Sequence, residues 1–165
     1  MCSKLKIIIA FLLITNCAIS QPVFLGMTSA GSGGAGTIFK TNPNGNPYES
    51  LYSYTINRSG ADPGSSVPIQ IGNKIYATMR QGGFYNNGVI FSYDLITSTY
   101  NTEYHFRDTT SGSAPSNLLQ ASNGLVYGMT ESGGTAGDGV LYSFNPVNSQ
   151  FTKLLNFNGT NGSAP

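Results

Sequence analysis

Tyr127-Gly128-Met129-Thr130 indicates the type of fold, because versions of this motif occur three times at even spacing. Its earlier copies are Leu-Gly-Met-Thr at 25–28 and Tyr-Ala-Thr-Met at 76–79, which sets a repeat of 51 residues. A second motif follows each copy, reading Gly-Thr-Ile-Phe at 36–39, Gly-Val-Ile-Phe at 88–91 and Gly-Val-Leu-Tyr at 139–142. Repeats of this length are typical of solenoids, propellers and arrays, in which each unit packs against the next.

The third copy predicts four short β-strands. The runs 117–121 and 125–130 flank Asn123-Gly124, a pair that favours a type I′ hairpin turn with positive φ at both central residues. Residues 139–144 then alternate with period two, and a fourth strand follows at 151–157. Four strands per unit, separated by Gly-rich loops, are typical of a propeller blade. We therefore predict an all-β fold, a β-propeller-type array of four-stranded antiparallel blades that is incomplete in this chain.

Aromatic residues recur on the fourth strand of every copy. Period two places one set of residues on a single face: Phe151, Lys153, Leu155 and Phe157 in the third copy, Tyr100, Thr102, Tyr104 and Phe106 in the second, and Tyr48, Ser50, Tyr52 and Tyr54 in the first. We predict that this face packs between blades, because a blade can cover its apolar face only against a neighbour. Stacking of the tyrosines on sugar rings is the alternative.

These motifs resemble the GloVer tandem repeat of exported bacterial proteins. The resemblance rests on the motif at 127–130, Gly133-Gly134, the strand at 139–142, Asn145-Pro146 and the preceding Asn123-Gly124. It covers residues 22–165, although the first copy has Ser32 where the other two have glycine. A looser resemblance is to kelch blades, whose typical tryptophan this chain lacks. The GloVer resemblance implies a propeller-like array, usually followed by a surface-sorting or anchoring segment, and implies no established activity.

Residues 1–20 are predicted to form a signal peptide. Lys4 and Lys6 precede an unbroken apolar run at 7–14, which is shorter than the ~20 residues of a membrane-spanning helix. The remainder, 21–165, is predicted to hold β-propeller repeats with cores near 22–57, 66–107 and 117–158, truncated before the next blade. We expect export to the extracellular space or the cell surface, with no membrane span in the mature chain. An outer-membrane lipoprotein anchored through Cys17 is the second interpretation.

Composition narrows the classes of function. Both cysteines, Cys2 and Cys17, lie in the predicted leader, so the mature chain would have no disulfide and no thiol nucleophile. Its lysines and arginines are scattered singly, whereas nucleic-acid binding requires clusters of them, so nucleic acid is not an expected partner. His105 is the single histidine, which argues against a multi-histidine metal site and a catalytic pair. We predict no cofactor, no metal site and no catalytic residue, and we lean towards a protein that is not an enzyme.

The Gly-rich loops are predicted to form a ligand-binding rim. The copies differ there at five residues: Arg80, Phe84, Tyr85, Glu131 and Asp138. Such variation fits binding residues on a rigid scaffold, and it fits neutral drift equally well. We predict a module for binding or surface interaction, whose partner is a glycan, a surface protein or the remaining blades of its own full-length chain. Two alternatives stay open, namely the non-catalytic part of a carbohydrate-active hydrolase or lyase, and a structural spacer for an unseen anchored domain.

Overall fold

The computed structural model describes residues 23–30, 34–55 and 59–165, and the predicted signal peptide lies outside them. The described chain forms three antiparallel sheets. In the first sheet the order is β1-β2-β3, with strands Phe24–Met27, Gly34–Thr41 and Tyr48–Thr55. In the second the order is β4-β5-β6-β7, with strands Ile69–Ile71, Lys74–Met79, Val89–Asp94 and Thr99–His105. The third sheet contains β8 to β11 in sequence order, with strands Ser113–Gln120, Val126–Ser132, Val140–Asn145 and Gln150–Asn156.

Each sheet is a meander, because strands that are consecutive in the chain are neighbours in the sheet. The second and third sheets have the four strands predicted for a blade, and the first has three in the described chain. A single helical turn, α1 at Asp108–Ser111, connects the second sheet to the third. The prediction of an all-β, propeller-type array of antiparallel blades is confirmed.

The hairpin between the first two strands of the third sheet is present, but its turn is not of the predicted type. A type I′ turn needs positive φ at both central residues, and of Asn123 and Gly124 only the glycine has it, at 81°. The Gly124 amide donates to the Ala121 carbonyl at 3.0 Å. The hairpin is therefore closed by a turn that ends in a left-handed glycine, which the pair Asn-Gly also suits.

The second sheet is buried on both faces. Ile75 and Phe91 face the first sheet, where they pack with Tyr54. Tyr76 and Ile90 lie on the opposite face and pack against the third sheet. Strands β5 and β6 are consequently almost continuous hydrophobic runs, as is typical of strands that are covered on both sides. Each repeat thus buries its apolar surface against the repeat beside it.

A β-bulge in the fourth strand overturns the prediction that its aromatic residues share one face. In β7 the register shifts between Ile90 and Phe91 of the neighbouring strand, which leaves Glu103 as an extra residue. One extra residue reverses the alternation of side chains along a strand. Tyr100 therefore packs against the first sheet, whereas Tyr104 packs against the third. Equivalent shifts occur in β3 and β11, so the bulge belongs to the repeat.

Candidate ligand-binding rim

Two loops meet at one end of the second sheet. The first joins β5 to β6 at residues 80–88, and the second joins β7 to β8 at residues 106–112. The Phe106 amide donates to the Gly88 carbonyl at 3.0 Å, which holds the two loops together. The corresponding loop of the third sheet lies at 133–139. Four of the five predicted site residues lie in these loops, and Glu131 lies near the end of β9.

Arg80 and Glu131 form an ion pair between neighbouring sheets. Both terminal nitrogens of the guanidinium donate hydrogen bonds to the two carboxylate oxygens of Glu131. The two residues are 51 positions apart, so they occupy the same place in consecutive repeats. The hydrogen bonds to Glu131 raise the pKa of Arg80 above its usual value, as a bonded carboxylate favours the charged form. The structure thus brings two predicted site residues together as a link between the second and third sheets.

Exchanging the charges of this pair tests the link. Arg80→Glu would place two carboxylates in contact, and we expect it to lower the free energy of unfolding by about 1 kcal/mol, the scale of a partly exposed pair. Glu131→Arg should have a similar effect. The double variant should recover most of the loss, because the attraction is restored with its polarity reversed. Urea denaturation of the four proteins measures this, and simply additive losses in the double variant would show that the pair does not couple the sheets.

Asp138 makes the same hydrogen bonds as Asn87, its counterpart one repeat earlier. The Asn87 side chain accepts from the Ser113 hydroxyl, and its carbonyl accepts from the Ala114 amide, both at 3.1 Å. Asp138 accepts from the Ser163 hydroxyl at 2.8 Å and from the Ala164 amide at 3.0 Å. Both serines begin a Ser-Ala-Pro sequence. The contacts of Asp138 thus connect repeats, and they do not involve the other predicted site residues.

Phe84 and Tyr85 line an open cleft of about 650 Å³ beside the edge strand β7. We call it the rim cleft, and its other lining residues are Glu103, Tyr104, His105, Arg107 and Thr110. The two aromatic side chains are 56% and 46% exposed. The guanidinium of Arg107 lies 4.5 Å from the centre of the Tyr85 ring and donates a hydrogen bond to the Tyr85 hydroxyl. The cleft therefore combines exposed aromatic surface with a cation that is already held in place.

His105 holds the loop that forms one wall of the rim cleft. Its Nδ1 accepts a hydrogen bond from the Phe84 amide at 3.2 Å, and the two rings lie 4.1 Å apart. One repeat later, the Asn156 side-chain oxygen accepts the equivalent bond from the Thr135 amide, also at 3.2 Å. Because an asparagine makes the same contact, this position anchors the loop in both repeats. The geometry therefore gives His105 a structural role in this loop.

Glu103 and Arg107 also line the rim cleft, and the sequence analysis did not select them. The carboxylate of Glu103 accepts a hydrogen bond from Ser92 at 2.6 Å within its own sheet, and another from Ser149 of the third sheet. Arg107 stands just before α1, where its amide donates to the Ser111 hydroxyl at 2.7 Å. An alignment of the repeats could have identified Arg107 as a variable position, because the corresponding residue of the third copy is an uncharged asparagine.

The described part of the chain holds no group of three or more His, Cys, Asp or Glu side chains placed to bind a metal ion. Within the same residues, no helix has the length and apolar character needed to cross a membrane. The described residues of the rim offer groups for aromatic stacking, ion pairing and hydrogen bonding.

The stacked antiparallel meanders define the class of this protein, a β-propeller-type repeat protein. Within that class, the profile of the Gloeobacter/Verrucomicrobia repeat matches residues 17–165, and the chain belongs to that repeat family. The resemblance to the GloVer repeat is thereby confirmed, whereas the kelch-like detail stays a prediction.

Two solved structures are similar to the described chain. The chain is similar to TolB from Acinetobacter baumannii, with a TM-score of 0.53 and 17% identity over 83% of this chain and 31% of TolB. It also matches the tricorn protease with a TM-score of 0.46 and 19% identity, over 76% of this chain and 10% of the protease. The chain thus spans less than a third of either protein, and at this identity the likeness to TolB shows the fold alone. The comparison with curated proteins finds no match.

Proposed function

We propose that this propeller-type module is exported and binds an acidic carbohydrate in the rim cleft. One observation carries the proposal: the second repeat gathers Phe84, Tyr85 and Arg107 in the cleft. The third repeat has small or uncharged residues at the same positions, namely Thr135, Ala136 and Asn158. The scaffold does not need the aromatic rings or the cation, since the third blade folds without them. Their presence together in one repeat fits selection for a ligand.

The groups of the rim cleft suit a sugar that carries a carboxylate. The exposed rings of Phe84 and Tyr85 offer flat apolar surfaces, which pack against the apolar faces of sugar rings. A guanidinium has several N–H donors in a planar fork, so Arg107 can hold Tyr85 and still bind a carboxylate. The carboxylate of Glu103 can accept hydrogen bonds from hydroxyl groups. The volume of the cleft is within the range of small-ligand sites, about 300–1,000 Å³.

Side chains of the rim cleft are held in place without a ligand, and this supports the same proposal. Arg107 is fixed on the Tyr85 ring, and His105 fixes the Phe84 amide. Groups that are already ordered lose less conformational entropy when a ligand binds. Export is supported by the leader-like sequence at 1–20, whose basic start and short apolar run are those of a signal peptide. An exported module would meet extracellular polysaccharides, which include acidic ones.

Calorimetric titration with trigalacturonate, an acidic trisaccharide, tests the proposal. We expect binding that weakens at least about tenfold in Tyr85→Ala and in Arg107→Gln, since each removes a central contact. Lys153→Gln is the matched control, because it removes one positive charge outside the cleft, and it should bind as the unmodified protein does. Neutral galactotriose should bind more weakly than the acidic probe. Binding that neither cleft variant changes, or no binding of either sugar, would contradict the proposal, and the latter would favour the structural-spacer alternative.

A further inference from the structure

The Gly-rich loops of two repeats are anchored with the same geometry by side chains of different chemistry. In the second repeat, His105 Nδ1 accepts the hydrogen bond of the Phe84 amide at 3.2 Å. In the third, the side-chain oxygen of Asn156 accepts that of the Thr135 amide, also at 3.2 Å. An amide side chain keeps its acceptor at every pH, whereas a histidine nitrogen accepts only while it carries no proton. The loop of the second repeat is therefore held by a group that can lose its acceptor.

The two acceptor atoms also occupy the same place against the backbone. A Cβ on Gly83 would lie 3.0 Å from His105 Nδ1, and a Cβ on Gly134 would lie 2.9 Å from the Asn156 oxygen. The two glycines precede the anchored amides and have φ angles of 78° and 77°. The position thus holds an acceptor in both repeats, which assigns to His105 the neutral imidazole with no proton on Nδ1.

Protonation of His105 would place two N–H groups opposite each other. An imidazolium donates from both ring nitrogens, so the Phe84 amide loses its acceptor. The Phe84 ring, 4.1 Å away, tolerates the charge because a cation is attracted to an aromatic face. The backbone amide does not, so this part of the loop has to move away from the histidine. The bond is therefore present at high pH and is lost as the pH falls through the histidine range, about pH 5 to 8.

The release is confined to the wall of the rim cleft that Phe84 and Tyr85 form. At the ends of the loop, the Gly88 amide donates to the Gly82 carbonyl at 3.1 Å, and the Gly88 carbonyl accepts from the Phe106 amide at 3.0 Å. Neither bond involves a group that titrates. The ends of the loop therefore stay fixed in acid, whereas the segment with the two exposed rings loses an anchor.

Among the described residues, charged groups of both signs lie near His105. Glu103 and Arg107 line the same cleft, and their effects on a charge at His105 oppose each other. The other titratable groups of the elements packed against it make their contacts elsewhere: Arg80, Tyr85, Tyr93, Asp94, Tyr104 and Asp108. His105 is the only histidine of the sequence, and no other side chain ordinarily changes its charge between about pH 5 and 7.5. A change in the cleft over this range therefore reports on His105.

We propose that His105 is a positioning residue that closes the rim cleft when it is neutral and opens it when it is protonated, so that the acidic carbohydrate is bound in neutral medium and released in acid. The release of ligand rests on the binding function proposed above, whereas the movement of the loop does not. Asn156 gives the third repeat the same anchor without a response to pH. Histidine stands in the repeat that gathers the exposed rings and Arg107, which fits control of binding by pH.

Hydrogen exchange of backbone amides, followed by NMR on the full chain without ligand, tests the movement of the loop. The protection factor of the Phe84 amide, which corrects for the pH dependence of intrinsic exchange, should fall at least about fivefold from pH 7.5 to pH 5.0. The Thr135 amide is the control within the same molecule, because its Asn156 acceptor does not titrate. His105→Asn should make the Phe84 amide equally insensitive to pH. Equal protection of the Phe84 amide at both pH values in the unmodified chain would overturn the proposal.

Calorimetric titration with trigalacturonate at the same two pH values tests the release of ligand. Its carboxylates stay ionised at pH 5.0, because such groups ordinarily lose their proton near about pH 3.5. We expect the unmodified chain to bind about tenfold more weakly at pH 5.0, and the affinity of His105→Asn to differ less than about twofold between the two. A positive charge on His105 would by itself strengthen the binding of an acidic sugar, so weaker binding in acid distinguishes an opened loop from a charge effect.

The outcomes separate this proposal from the binding function. Equal or tighter binding in acid would overturn the release of ligand and leave the proposed function intact. The same holds if His105→Asn kept the full pH dependence, because the response would then come from another group. No binding at either pH would contradict the proposed function, and the Phe84 amide would then decide whether His105 controls the loop.

Discussion

Gly139→Ala is expected to lower the free energy of unfolding by about 4 kcal/mol, which is a large part of the stability of a domain of this size. Gly139 has a φ of 97°, a conformation that residues with a side chain rarely adopt. A Cβ at this position would lie 2.2 Å from the carbonyl oxygen of Thr130 in the preceding strand. The cost of the strained φ and the cost of the clash with the Thr130 carbonyl therefore add in the free energy of unfolding. Gly36 and Gly88 meet the carbonyls of Thr28 and Met79 in the same way, which explains why every copy has glycine here.

Gly137 provides the control for this prediction, two residues away in the same loop. It has a φ of 86°, but a Cβ there would meet no atom within 4 Å. Gly137→Ala should therefore carry only the conformational cost, about 1 kcal/mol. Thermal and urea denaturation of the two variants compare the effects. If Gly139→Ala were no less stable than Gly137→Ala, the contact with the Thr130 carbonyl would not be what requires glycine.

Phe106→Ala is expected to cost about 4 kcal/mol, because it opens a cavity between the second and third sheets. The Phe106 side chain is fully buried. It makes edge-to-face contacts with Tyr104, Tyr142 and Phe151, at centre distances of 5.2, 5.3 and 5.7 Å. Deleting the ring therefore removes contacts in both sheets at once. The midpoint of urea denaturation, with the slope of the transition, measures the loss.

Phe157→Ala is the matched control, since Phe157 has the same place one repeat later but is only partly buried. The Phe157→Ala variant should lose about 1 kcal/mol, because a partly buried side chain loses fewer packing contacts. Equal losses for the two variants would contradict the packing of the second sheet on the third.

The architecture could be predicted from the sequence because it depends on the spacing of the repeated motifs. Gly88 and Gly139 recur at the repeat length, and each must be glycine for the backbone reason given above. The bulge at Glu103 could not be predicted, because an extra residue in a strand leaves no mark on composition and only shifts which residues face which sheet. The prediction of a single aromatic face failed for that reason. Tyr52 and Tyr100 nevertheless pack between the first and second sheets, and Tyr104 and Phe151 pack between the second and third.

The candidate site was predicted only in part. Phe84 and Tyr85, two of the predicted site residues, line the rim cleft. Arg107 lines it from a different loop, and its closeness to Tyr85 could not be predicted because the two residues are far apart in the sequence. Arg80 and Glu131 were predicted as site residues because this repeat position varies between copies. Their opposite charges also indicate that they pair, because equivalent positions of adjacent sheets lie side by side. Whether any of the five residues binds a ligand stays a prediction.

The hydrogen bonds of Asn87 and Asp138 have a consequence for how such arrays change over evolutionary time. In the second and third units, a side-chain oxygen and a carbonyl oxygen accept hydrogen bonds from the Ser-Ala-Pro of the following segment. These hydrogen bonds form with an amide or with a carboxylate side chain, so the position can change between asparagine and aspartate without losing them. A duplicated unit of this kind therefore contains the residues that connect it to the next unit. Gene duplication can therefore lengthen or shorten the array without redesigning the connection between units.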